Sequence, residues 1–151
     1  MANLEFGVWD SFGAEVLART PVAADTYMEH INEAKLAEDL GYRYFFIIEH
    51  QNSAVGQITA PNVFLSALAQ HTSTLRIGAM IYQLPMHDPV RLAQDTATLD
   101  HLSQGRLEFG AGLGTHEHEF MRWNLDFNQR REMGAEALEV ILKAWSGESL
   151  T

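Results

Sequence analysis

The sequence predicts an α/β fold built on a parallel sheet. Four apolar segments rich in aromatic and β-branched residues alternate with four segments of helical periodicity, in the order βαβαβαβα. The apolar segments lack the in–out alternation of a half-exposed strand, as strands in a parallel sheet do. Such an order implies parallel pairing and right-handed crossovers.

Leu4 to Trp9 reads as the first strand, interrupted by Glu5 and closed by Asp10-Ser11-Phe12-Gly13, and a loop follows through Pro21. Asp25 is placed to cap a helix with Thr26 to Leu40 as its body. Its apolar face is read as Tyr27, Ile31, Ala34, Leu36, Ala37 and Leu40, and Gly41 sits at the stop. Tyr42 to Ile48 forms the second strand, followed at once by Glu49-His50-Gln51-Asn52. Pro61 opens a helix to about His71, since proline suits a first helical turn. Leu75 to Leu84 is the third strand, stopped by Pro85, and Pro89 opens a helix to about Leu102. Arg106 to Leu113 is the fourth strand, and the last helix covers roughly Asn128 to Trp145.

Composition limits the functions. Among 151 residues, Lys+Arg 10 against Asp+Glu 20 leaves a net charge of -10, which disfavours nucleic acid and anionic membrane surfaces. The absence of cysteine excludes disulfides, thiolate zinc sites and thiol nucleophiles. No apolar run reaches the ~20 residues of a membrane span, and the N-terminal segment has no basic signal-peptide region. The expected compartment is the cytoplasm. No internal linker stands out, so residues 1–151 are read as one unit.

Two architectures fit: a small open doubly wound sheet, or half of a (β/α)₈ barrel, which as a whole needs about 250 residues. In both, ligands sit at the carboxyl ends of the strands. Glu49-His50 ends the second strand, where one of the two side chains must face the central site, and an imidazole there can move protons near neutral pH. The alternative is a histidine that only caps the sheet end. His116 and His118, with Glu117 and Glu119, have a metal-like spacing but follow Gly114-Thr115, so they are read as a solvated acidic turn and no metal is expected. Gly110-Ala111-Gly112-Leu113-Gly114 does not complete a dinucleotide fingerprint; its glycines suit a turn or the close approach of a planar ring. Gly78-Ala79-Met80-Ile81 offers space beside the barrel mouth. His30, His71, His87 and His101 receive no role.

The strand ends together resemble the bacterial luciferase-like flavin monooxygenases. The resemblance rests on FGVW, on FFIIEHQ, on LRIGAMIYQLPMHDPVRLAQDTATLDHLSQGRLEFGAGLG and on a terminal AWSGE, and runs from about residue 4 onward. It implies a TIM-type barrel that binds reduced FMN and reacts with oxygen at the flavin C4a to oxidise a small organic substrate. Some members use a deazaflavin coenzyme and transfer hydride instead. His50 matches the family's active-site histidine and Glu49 the acidic residue before it. The family's non-prolyl cis peptide beneath the flavin maps to Met80-Ile81, so Ala79, Met80 and Ile81 are expected at the cofactor, as are Gly112 and Leu113. Leu113 stands where luciferase-type members carry an arginine that helps hold the phosphate. Four βα units leave two strand edges and an inner face open. The expected outcomes are a pair of copies closing a pseudo-barrel, completion by a C-terminal half, or a flattened open sheet. The rival functions are a flavin-binding assembly module without catalysis and a metal-dependent hydrolase using His50, His116 and His118.

Overall fold

The four apolar segments satisfy their backbone groups by pairing in chain order. The computed structural model describes residues 4–13, 23–50 and 58–149. Strands β1 (Gly7–Asp10), β2 (Tyr44–Ile47), β3 (Arg76–Gln83) and β4 (Leu107–Gly112) form one parallel sheet in the order β1-β2-β3-β4. The connecting helices are α1 (Ala23–Asp39), α2 (Pro61–His71), α3 (Pro89–Leu102), the short α4 (Glu117–Arg122) and α5 (Arg130–Ser146). A doubly wound sheet needs a reversal of strand order at a switch point. Sequential order has none, so the molecule is one wall of a barrel.

The register separates the two faces. Val8, Phe45, Ile77 and Leu107 lie side by side, as do Asp10, Ile47, Ala79 and Phe109. These residues face the helices: Phe45, Ile47, Ile77 and Ala79 are fully buried, joined by Ile31, Ala34, Leu65, Leu68, Leu99 and Ile141 from the helices. The alternate positions face the open side. Trp9 is 55% and Met80 46% exposed, and the Tyr44 and Phe46 rings stack at 5.9 Å over half-buried backbone.

Several details depart from the expected pattern. The first helix begins at Ala23, so Asp25 lies in its first turn and does not cap it. Its buried stripe is Thr26, His30, Ile31, Ala34 and Ala37, whereas Leu36 and Leu40 are 56% and 67% exposed. At 100° per residue the two leucines fall away from the sheet. His116 to Glu119, read as a solvated acidic turn, leads into the short helix Glu117–Arg122, and Glu119 is not solvated: it and Phe120 are 0% exposed. Gly41 does end the first helix, at φ +84°. Among the described residues no helix is long and apolar enough to cross a membrane.

Two charged side chains tie the amino end of the sheet to the helices. The Arg106 guanidinium donates to the carbonyls of Ala69 (2.9 Å), Thr72 (3.1 Å), Leu75 (2.9 Å) and Ser103 (2.7 Å), joining the carboxyl ends of α2 and α3 to the start of β3. The Glu38 carboxylate accepts from the backbone N–H groups of Ser73, Thr74 and Leu75 at 2.5–3.1 Å. Burial alone would raise the Glu38 carboxyl, but the backbone donors of Thr74, Leu75 and Ser73 outweigh it and hold it below its ordinary value. Arg106→Ala strands several carbonyls at once and is expected to lower stability by about 2–4 kcal/mol, read from urea denaturation. Arg106→Lys should recover little, because an ammonium cannot reproduce the planar fork.

Candidate functional site

Strand alternation decides which way the Glu49-His50 pair points. Glu49 shares the helix side with Ile47 and is 2% exposed; His50 is half-buried and opens onto a cavity of about 530 Å³ at the carboxyl ends of β2, β3 and β4. The cavity's apolar wall is Met80, Ile81 and Leu113, and Arg130 and Arg131 from the first turn of α5 close its far side. A cavity at this rim is where a parallel barrel wall places its ligands.

Several polar groups around His50 have defined partners. His50 Nδ1 lies 3.0 Å from Glu119 Oε1, whose side chain is fully buried. A carboxylate in that position accepts from Nδ1–H, which leaves Nε2 as the ring's acceptor. Glu49 links the ends of β2 and β3: its carboxylate accepts from the Gln83 backbone N–H at 2.7 Å and lies 2.9 Å from His87 Nε2, while its carbonyl accepts from Gln83 Nε2 at 3.1 Å. Behind them Tyr82 donates to Asn62 Oδ1 at 2.6 Å; burial, then the charges of Glu49 and Asp95, push its phenol up, so it stays a donor.

Of the residues expected at the site, Glu49, His50, Met80, Ile81 and Leu113 meet around the cavity. Ala79 is 0% exposed and packs in the helix-side core instead, as its register opposite Ile47 requires. Gly112 supports the wall from behind, where an added Cβ would lie 2.6 Å from Ile81 Cδ1. The Met80–Ile81 peptide bond is cis. His118 is exposed, whereas Glu119, beside it, reaches the buried face of His50.

The sequence analysis assigned no site role to Glu119, Gln83, His87, Arg130 or Arg131. A signal for Glu119 was present: Phe120 follows it, and a turn that buries a phenylalanine buries part of what precedes it. The arginines had a signal as well. Two adjacent cations in the first turn of a 17-residue helix oppose its dipole, so their position asks for an anion.

Residues 4–151 match the luciferase-like monooxygenase family. The chain belongs to that family. Among family relatives, 4-hydroxyprotoasukamycin monooxygenase of Streptomyces nodosus subsp. asukaensis is 31% identical over 141 residues, covering 91% of this chain and 38% of the relative. The oxygenating constituent of 3,6-diketocamphane monooxygenase from the CAM plasmid of Pseudomonas putida, solved in complex with FMN, superposes with a TM-score of 0.86. It is 24% identical, over 98% of this chain and 41% of that one, and shows a shared fold. The coenzyme F420 dependent tetrahydromethanopterin reductase of Methanopyrus kandleri reaches a TM-score of 0.62 at 26% identity, over 83% of this chain and 31% of that one. The chain thus spans less than half the length of the curated family members it matches.

Proposed function

We propose that this member of the luciferase-like monooxygenase family binds reduced FMN at the carboxyl rim and takes part in flavin-dependent oxygenation of a small organic substrate. The observation that carries the reading is a single cavity combining an apolar wall, a proton-handling histidine and two guanidinium groups. The residues fit the cofactor. Met80, Ile81 and Leu113 offer apolar surface to a ring system, and Arg130 and Arg131 offer charge to a phosphate. Gln83 adds a buried acceptor, Oε1, with no hydrogen-bond partner among the described residues. Leu113 gives up the arginine of luciferase-type members and seats instead on Gly134, where an added Cβ would lie 2.3 Å from its Cδ2. The cation is then supplied one helical turn earlier, by Arg130, whose guanidinium lies 3.8 Å above the Phe127 ring and donates to the Phe127 carbonyl at 2.8 Å.

Reduced flavin supplies the electrons that activate oxygen. The chain's own residues do the rest of the work assigned here. His50, held through Nδ1 by Glu119, gives or takes a proton at Nε2. Glu49 fixes the strand end from which His50 projects. The apolar wall keeps water from the reacting atoms.

The open face with Trp9 and Met80 needs a cover, and a second copy of this chain is the cover we propose, closing the barrel as a pair. One experiment addresses both parts: native mass by light scattering, with FMN and then riboflavin titrated into the same sample. The expected result is a particle of twice the 16.9 kDa chain that binds FMN at least about tenfold more tightly than riboflavin. Equal affinity for the two flavins would remove the arginine pair from the phosphate role, and no flavin binding would overturn the proposal. A monomer that binds FMN would overturn only the pairing. A deazaflavin coenzyme that binds in preference to FMN would move the chemistry to hydride transfer.

A further inference from the structure

We infer that the rim of this cavity is also a divalent transition-metal site, built from His50, His116 and Glu119, with zinc as its natural fit. One ligand atom from each of the three lies within 4.8 Å of the others. They come from separate pieces of the fold: His50 from the end of β2, His116 from the residue before α4, and Glu119 from its first turn. The His50 and His116 rings meet edge to face at 5.3 Å, and Glu119 Oε1 is already 3.0 Å from His50 Nδ1. Two imidazoles and one carboxylate are a three-ligand zinc set, leaving the fourth position to water. Their nitrogen content selects zinc, nickel or cobalt over magnesium and calcium, which take oxygen ligands. The net charge of -10 favours cation capture in general.

The site is adaptable where a metal needs it to be. His116 is exposed, and among the described residues the one hydrogen-bond contact of its Nδ1 is the Thr115 hydroxyl at 3.2 Å, so the ring can close the remaining distance. A second cluster, Asp10, His30 and Glu33, is less suited. His30 is 2% exposed, its Nδ1 lies 2.5 Å from Asp10, and the Phe12 ring stacks on it at 3.4 Å, which shields it from an incoming ion. Zinc bound at the rim would engage the imidazole that the proposed reaction uses. Micromolar zinc should therefore inhibit wherever the flavin reading holds, whereas the binding itself does not depend on that reading.

Equilibrium dialysis of the flavin-free chain against zinc chloride tests the site without any activity assay. The expected result is one zinc per chain with micromolar affinity, weakened at least about tenfold in His116→Ala and unchanged in Glu33→Gln. His116 is exposed, so its alanine variant should keep the parent's circular dichroism. Absence of binding at about 100 micromolar zinc would overturn the proposal. So would full affinity in His116→Ala, or a loss confined to Glu33→Gln, which would move the ion to the other cluster.

Discussion

Gly78→Ala is expected to lower the stability of this domain by more than about 3 kcal/mol, the largest effect of any small substitution in the sheet. An added Cβ at this position would lie 2.0 Å from the Glu108 carbonyl oxygen and 3.0 Å from its carbon, both backbone atoms. No rotamer change relieves such a contact; β3 and β4 would have to separate. Those strands also hold the Ala79–Phe109 pairing, on the core side of the sheet. For a chain of this size the loss corresponds to a fall of roughly 6–12 °C in the midpoint of thermal unfolding, followed by far-UV circular dichroism. A midpoint within a degree or two of the parent would show that the strands have freedom the geometry denies. Gly41→Ala is the natural comparison. Nothing lies within 4 Å of its added Cβ, so only the left-handed φ of +84° opposes the change, at about 1 kcal/mol.

His50→Ala is expected to slow the oxygen-dependent reaction of the reduced, FMN-loaded chain by about 10²–10⁴-fold while leaving FMN affinity within about twofold. The ring contributes proton transfer, and the apolar wall and arginines that would hold the flavin lie elsewhere in the cavity. Re-oxidation of photoreduced FMN, followed by its visible absorbance, gives the rate without knowledge of the organic substrate. Glu119→Gln should give a smaller loss, because the amide oxygen can still accept from His50 Nδ1 across the same 3.0 Å contact and keep the ring oriented. An unaltered rate in His50→Ala would take the histidine out of the chemistry and leave it as a strand-end cap. Loss of FMN affinity in parallel with rate would give it a binding role instead.

Much of this architecture was legible from local pattern. Proline at 61 and 89, glycine at 41 and the apolar runs at 44–47 and 77–82 mark their elements because each reflects a local constraint on φ or on burial. His50 was legible for a related reason, since a polar pair at the end of an apolar strand has few structural explanations. The partners were not. Glu119 approaches His50 across 69 positions of sequence, Glu49 meets His87 across 38, and Arg130 enters the cavity from the helix that follows β4. Such pairings exist only once the strands are in register, and no single-segment periodicity encodes them. Ala79 shows the converse: its neighbours Met80 and Ile81 line the cavity, but the pleat turns its own methyl to the other face.

The polar anchors of this sheet are divided between its ends. Arg106 and Glu38 fasten the amino end by saturating main-chain groups of the neighbouring turns, and neither comes near the cavity wall. If the rim binds substrate as proposed, selection on it can rework that end repeatedly while the foundation at the opposite pole keeps the scaffold upright. Glu49, which binds strand to strand and precedes the histidine, is the place among the described residues where durability and the proposed chemistry meet, and it is there that adaptation would meet a trade-off.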